Sequence, residues 1–507
     1  MEEIQADVVI VGAGTAGCVL ATRLAEYGFE VLLLSSGSND TTNPLVKRTS
    51  QFVELLKMPQ FKHNLFHTPL SNLNGRTLEL IVWNTLGGNS INWGGMERMS
   101  KNECDLFVDA TGDSSFNFEH MSTYYKMVEK FTTLEQSSKT NHDTNNGKIP
   151  MVHSSSPPFS EIWKKVADEL GETFTNDLTG PITYGFSFES SSFVDGVRHW
   201  SASDYLIPAM NKYPNLSVRT DATVTKFDVN AKTKHVDSLL FVSSKGYFRV
   251  MARKEYILSA GTFFSPQLLL VSGIGDPELL QQNNIDVKHV LTQVGKNLTD
   301  NGLVPMEYEM KGLPTNQCIP IGLVNRRTKT TETNSDLFFV LRMSQPTENI
   351  RVLTFNCQPK SPSGSISLYN SNPLMPPKIT LNYLEHEEDI EAFVDSISYI
   401  RRVMFTNAIQ ETVEVTEILP GIHEMDLHSY IRDKFEPAYH FIGTCAMGQD
   451  PQTSVVNKDF KVHGIDNLRV VDASVFPKDF VSLKGPCLPV YALAEKAADH
   501  LRKEYFR

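Results

Sequence analysis

Asp7-Val8-Val9-Ile10-Val11-Gly12-Ala13-Gly14-Thr15-Ala16-Gly17 decides the fold of this 507-residue chain. The five residues before Gly12 are almost all β-branched, the pattern of a strand buried on both faces. Cys18 to Glu26 then carries apolar residues at helical spacing, Gly28 ends the helix, and Val31-Leu32-Leu33-Leu34 reads as a second buried strand. Strand, helix and strand surround a complete G-x-G-x-x-G. Gly12 permits the tight turn, Gly14 lets a pyrophosphate approach the backbone, and Gly17 lets helix and strand pack closely. Phosphates would sit on the free N–H groups at the positive end of the helix. The unit predicts a bound dinucleotide; the alternative is a glycine-rich turn with no ligand. One part of the motif is altered. The second strand should end in Asp or Glu, which accepts hydrogen bonds from a ribose, but the position is Ser35. A neutral hydroxyl bonds less strongly than a carboxylate, so weakened cofactor binding is expected.

Outward from this unit, residues 38–80 are polar and read as surface excursions. Thr85 to Gly95 is a second glycine-rich run, suited to close approach of backbone and ligand. Helices are expected over 118–131, 160–170, 386–406 and 490–501. Residues 134–158 read as a long loop. Tyr256 to Gly261 is a strand entering a small-residue turn, and Ser265-Pro266-Gln267-Leu268 starts a helix with proline near its beginning. From 303 to 435 short apolar runs such as Leu337 to Val340 and Val352 to Phe355 imply a separate antiparallel sheet.

Length favours two domains and permits three. A net charge of -12 argues against sequence-independent binding to nucleic acid or anionic membrane. Six cysteines show neither disulfide nor metal spacing. No signal peptide or apolar run of membrane-spanning length is recognisable, so the sequons at Asn39, Asn215 and Asn297 are expected to be chance, and residence in the cytoplasm is expected.

Taken together, these blocks resemble the glucose–methanol–choline (GMC) family of FAD-dependent oxidoreductases. The resemblance rests on Gly12-x-Gly14-x-x-Gly17, Leu86-Gly87-Gly88 and Ile257 to Leu269. It rests further on Ser272-Gly273-Ile274-Gly275, Val294 to Asp300, His440-x-x-Gly443-Thr444-Cys445-x-Met447-Gly448 and Val470 to Ser474, which follow in the family's order over nearly the whole chain. It implies an α/β fold: a Rossmann-like FAD-binding domain from residues 1–302 and 436–507, and an α+β substrate domain over 303–435. Excursions such as 134–190 would join the second domain. It places FAD against Gly12, Gly14, Thr15, Ala16, Gly17, Ser35, Gly88, Asn92, Val224, Ala260, Gly261, Asp472 and Ala473.

The family oxidises alcohols: a base takes the hydroxyl proton while hydride passes to flavin N5. The matching base is His440, a residue type suited by a pKa near working pH; taken alone it would read as a buried core histidine. The family's second His or Asn falls on Gly485, which has no side chain, with Lys484 and Cys487 beside it. Trp93 stands at an irregular point of its loop, where a one-residue shift restores Asn92 as the matching residue. Two readings follow. One is a working FAD enzyme acting on a small alcohol. The other is a weakened GMC fold that still binds FAD and serves as a homo-oligomeric or filament-forming virion component, as some members in large DNA viruses do.

Overall fold

The computed structural model describes residues 2–48, 52–92, 94–131, 146–153, 159–175, 178, 184–311, 320–324, 336–343, 349–361, 363–482 and 484–506. The expected βαβ unit forms as β1 (Glu2–Val11), α1 (Thr15–Glu26) and β2 (Val31–Leu34), with Val8 paired to Val31 and Val11 to Leu34. Further along lie β3 (Leu216–Arg219), β4 (Thr223–Asn230), β5 (His235–Ser243), β6 (Gly246–Leu258) and β7 (Leu468–Val470). They make one seven-stranded sheet, ordered β3-β2-β1-β6-β5-β4, with β7 also on β6. The pairs among β3, β2, β1, β6 and β7 are parallel; β5 runs antiparallel to its neighbours. The carboxyl ends of β1, β2, β6 and β7 therefore share one edge. Ligands of parallel sheets bind outside that edge.

The helix after β6 departs from its expected shape. α2 spans Gly261–Val271, so Pro266 sits in its interior rather than at its start. Proline removes the bond its N–H would make to the carbonyl of Thr262. That carbonyl is satisfied instead by the Thr444 hydroxyl at 2.6 Å. The last helix, α3 (Cys487–Tyr505), is longer than expected and packs on α1. Glu495, on α3, is fully buried and receives Arg23 of α1 at 2.8 Å and the Tyr205 hydroxyl at 2.7 Å.

The second sheet has six strands, in the order Glu414–Leu419, Leu303–Lys311, Asn349–Asn356, Leu337–Met343, Pro320–Val324 and Gly185–Phe188. All its pairs are antiparallel. Gly185–Phe188 comes from outside 303–435 and pairs with Pro320–Val324. The helix Glu387–Met404 covers one face through Ile390, Phe393, Ile397 and Ile400, which join the core of Val304, Met306, Phe339 and Val352. The opposite face looks toward the carboxyl edge of the first sheet.

Three expectations on local structure are corrected. The helix from Phe118 ends at Val128, and Glu129–Phe131 is a strand parallel to Ile149–His153. Glu129 turns inward to pair with buried Arg98, its Oε1 2.8 Å from Nε. Of the 134–158 loop, only 146–153 is described, and it contains that strand. Residues 38–80 are no mere surface excursion either: Lys62–Phe66 and Glu79–Trp83 form a hairpin lying over the site.

Candidate active site

A cavity of about 900 Å³ separates the two sheets. Gly12 to Ala16, at the start of α1, line one end, with Leu34 and Ser35 from the end of β2. Gly88, Asn92, Val224, Ala260, Gly261, Asp472 and Ala473 line it too, and His440 lies toward the second sheet. Gly17 alone among the expected site residues does not line it. A Cβ there would lie 1.9 Å from the Gly12 carbonyl oxygen, so Gly17 serves helix–strand packing and acts on a ligand only through that turn.

The two glycine-rich runs are joined. Gly87 N–H donates to Ala13 O at 2.8 Å, and a Cβ on Gly88 would meet the Cα of Gly14 at 2.9 Å. Asn89 accepts from Trp83 N–H at 3.0 Å, which ties the covering hairpin to this junction. Trp93 lies outside the described residues. Ser35 is buried, and its hydroxyl accepts from Gly37 N–H at 3.2 Å, so its own proton remains to be donated to a ligand. Asp472 is a bracing residue. Its carboxylate accepts from Gly261 N–H at 2.8 Å, Ser265 Oγ at 2.5 Å and Ser474 N–H at 2.8 Å. Burial raises its pKa while these bonds oppose the rise, and its position favours the positive end of α2.

At the other end, three neighbours fix His440. Its backbone N–H donates to Asp300 Oδ1 at 3.0 Å, while Asp300 Oδ2 accepts from Ala438 N–H at 2.9 Å and the Tyr383 hydroxyl at 2.6 Å. Phe355 stacks on the imidazole, centroids 5.8 Å apart and planes 7° from parallel. Nδ1 lies 3.2 Å from Asn301 Oδ1, and the Asn301 amide nitrogen donates to Ser482 O at 3.2 Å. That second bond orients the amide, so Nδ1 carries the proton and Nε2 keeps its lone pair. Burial, aided by the positive charge of Arg342, lowers the His440 pKa to about 4. The ring is therefore neutral at physiological pH.

Nε2 faces Gly485. The glycine has φ +100°, and a Cβ on it would stand 3.0 Å from Nε2. The missing partner is thus no simple deletion, because the backbone itself closes against the histidine. A side chain at this position would need a left-handed backbone and would press on the imidazole itself. Lys484 does point inward; it is buried, lines the cavity and donates to Leu178 O at 2.6 Å. Cys487 lines it as well, its thiol raised to about 12 by burial.

Sequence reading missed the roles of Asp300 and Asn301, though both lie in the turn-rich Val294–Asn301 stretch. It also missed two arginines. Phe338, Val340 and Arg342 line the cavity from one strand; Arg351, Leu353 and Phe355 line it from the next. The register pairs Phe338 with Phe355, Val340 with Leu353 and Arg342 with Arg351. Alternation of period two in both segments was the signal available.

A parallel-sheet nucleotide edge faces an antiparallel sheet across a shared cavity, with a neutral histidine between them, which is the layout the resemblance implies for a flavin oxidoreductase. Comparison with known proteins agrees. The family model for GMC oxidoreductase matches residues 6–302 and its C-terminal counterpart residues 359–494, so the chain belongs to the GMC oxidoreductase family and FAD is its cofactor. It is 30% identical to the oxygen-dependent choline dehydrogenase of Klebsiella pneumoniae, over 98% of this chain and 96% of that one. It is 28% identical to the glucose dehydrogenase [FAD, quinone] of Drosophila melanogaster, over 98% and 87%. The fold matches a crystal structure of formate oxidase with TM-score 0.89 at 22% identity, covering 100% of this chain and 99% of that one. It also matches pyridoxine 4-oxidase from Mesorbium loti with TM-score 0.88 at 23% identity, covering 99% of each. Among the described residues, no helix is long and apolar enough to cross a membrane.

Proposed function

We infer that this protein oxidises an alcohol to a carbonyl compound, with His440 as the base that takes the hydroxyl proton. One observation carries the reading: Asn301 holds Nδ1, which leaves the lone pair of Nε2 uncommitted on a histidine that lines the cavity. Burial keeps that nitrogen unprotonated, which a general base requires. When bound, FAD supplies the hydride acceptor. The turn at Gly12 to Ala16 would hold its phosphates and Ser35 its adenosine ribose. The turns at Ala260–Gly261 and Asp472–Ala473 would lie along its length, with Gly88 and Asn92 covering it. Those residues fit the group, since all line a single cavity and close contacts at Gly17 and Gly88 exclude larger side chains.

A second reading, in which the fold serves assembly and catalysis is faint, draws support from Gly485. With no side chain opposite Nε2, His440 works without a second acid–base group. The two readings separate in one experiment. The purified yellow protein, offered primary alcohols labelled with deuterium at the carbinol carbon, should yield the carbonyl product with a primary isotope effect. No carbonyl product from a broad panel, together with regular self-assembly, would leave only the second.

A further inference from the structure

The cavity face of the second sheet is graded along the strands. Nearest His440 is the aromatic pair Phe338–Phe355, next the aliphatic pair Val340–Leu353, and last the pair Arg342–Arg351. Phe355 stands four positions along the strand from Arg351, about 13 Å, part of which the long arginine side chains span. Glu189 lies 3.8 Å from Arg342, and Glu436 holds Arg351 at 2.7 Å. Lys484 adds a third cation to the cavity wall. Among the described residues, the substrate half of the cavity thus carries one more cation than carboxylate; Asp472, the other lining acid, is held by the start of α2.

Like charges directly opposite on neighbouring strands are destabilising. Burial disfavours the Arg342 charge, Glu189 supports it, and Arg351 opposes it again; guanidinium nevertheless stays protonated. The buried Nε of Arg351 has no hydrogen-bond partner among the described residues. A cavity serving only a neutral alcohol has no use for this pair. Nor does it favour a cation, because the two carboxylates of the wall already lie beside the arginines and three positive groups outnumber them.

We propose that the alcohol oxidised here also carries a carboxylate, separated from its reacting carbon by an apolar segment and received by Arg342 and Arg351. The planar fork of guanidinium matches a carboxylate bidentately. The apolar segment would lie on Val340, Leu353 and the two phenylalanines, leaving the hydroxyl at His440. This rests on the oxidoreductase reading for its substrate, though not for its binding.

Two measurements on the FAD-loaded protein test it apart from that reading. Calorimetry compares non-reactive 4-methylbenzoate with 4-methylbenzamide and 4-methyl-N,N,N-trimethylanilinium, which carry a neutral amide or a trimethylammonium group in place of the carboxylate. The carboxylate should bind about 10- to 100-fold tighter, the range expected of hydrogen bonds to a charged group. Anaerobic flavin reduction then compares 4-(hydroxymethyl)benzoate with 4-methylbenzyl alcohol and its trimethylammonium counterpart, where the acid should show the highest kcat/KM. The double change Arg351→Gln with Glu436→Gln, which removes both members of the ion pair, should erase most of the preference. Arg342→Gln should do the same. Equal or tighter binding of the neutral or cationic probe by the native protein would overturn the proposal, as would preference retained in both folded variants. If carboxylates bind but no alcohol bleaches the flavin, the anion site stands and the oxidoreductase reading falls.

Discussion

His440 and Gly485 form the centre of the site as a single unit. The histidine pKa is lowered to about 4 by burial, against about 6.5 in an unfolded chain. The acidic limb of kcat/KM should therefore fall near pH 4 and not near 6.5, read from flavin reduction between pH 3.5 and 8. The same shift bears on stability. Between those two values the unfolded chain binds the proton that the folded chain refuses, so this group's contribution to stability is lost as pH falls from about 6.5 to about 4. Denaturant midpoints across that window should drop, and His440→Gln should flatten the part due to this residue. Gly485→Ala should be costly for its size. Its φ of +100° and the 3.0 Å approach to Nε2 predict a loss of about 1–3 kcal/mol together with slower flavin reduction. An alanine variant equal to native in thermal midpoint and rate would show that the backbone there is not constrained.

At the scale of elements, α2 and α3 illustrate what the sequence could and could not disclose. Thr444→Val should leave the Thr262 carbonyl unsatisfied beside Pro266, lowering stability by about 1–3 kcal/mol in urea unfolding. Breaking the buried Arg23–Glu495 pair with Glu495→Ala should cost roughly 3–5 kcal/mol, since Glu495 is fully buried. The βαβ unit was legible because its glycines, buried strands and helix are consecutive, and each constrains the next. His440 was legible through its fixed neighbours Gly443 and Thr444. The hairpin Lys62–Phe66 with Glu79–Trp83 was not, because its first strand is mostly polar and half outside the core and neither strand alternates cleanly. Nor was the arginine pair. Arg342 and Arg351 lie nine positions apart, and only the tertiary register sets them face to face. Proline at the middle of α2 misled for a related reason: the hydroxyl that repairs the helix comes from residue 444.

For the whole molecule, the chain path matters most. The cavity draws its walls from the first residues, from the middle strands and from residues beyond 436, and α1 is sealed by the C-terminal helix through Glu495. A fragment ending before residue 303 should not fold or hold FAD, and limited proteolysis of the native protein should nick it without releasing an FAD-binding piece. Ser35→Glu should tighten FAD binding if the end of β2 meets the ribose, as its place in the cavity wall implies; unchanged affinity would place the ribose elsewhere.

Whether a neutral His440 drives alcohol oxidation in this cavity is read from stopped-flow flavin reduction without oxygen. Native protein and His440→Gln, both shown by absorbance to hold FAD, are mixed with 4-(hydroxymethyl)benzoate. The native flavin should bleach, at a rate on the order of 10²- to 10⁴-fold above that of the variant. Equal rates in the two proteins, or no bleaching of the native flavin by any alcohol, would contradict it.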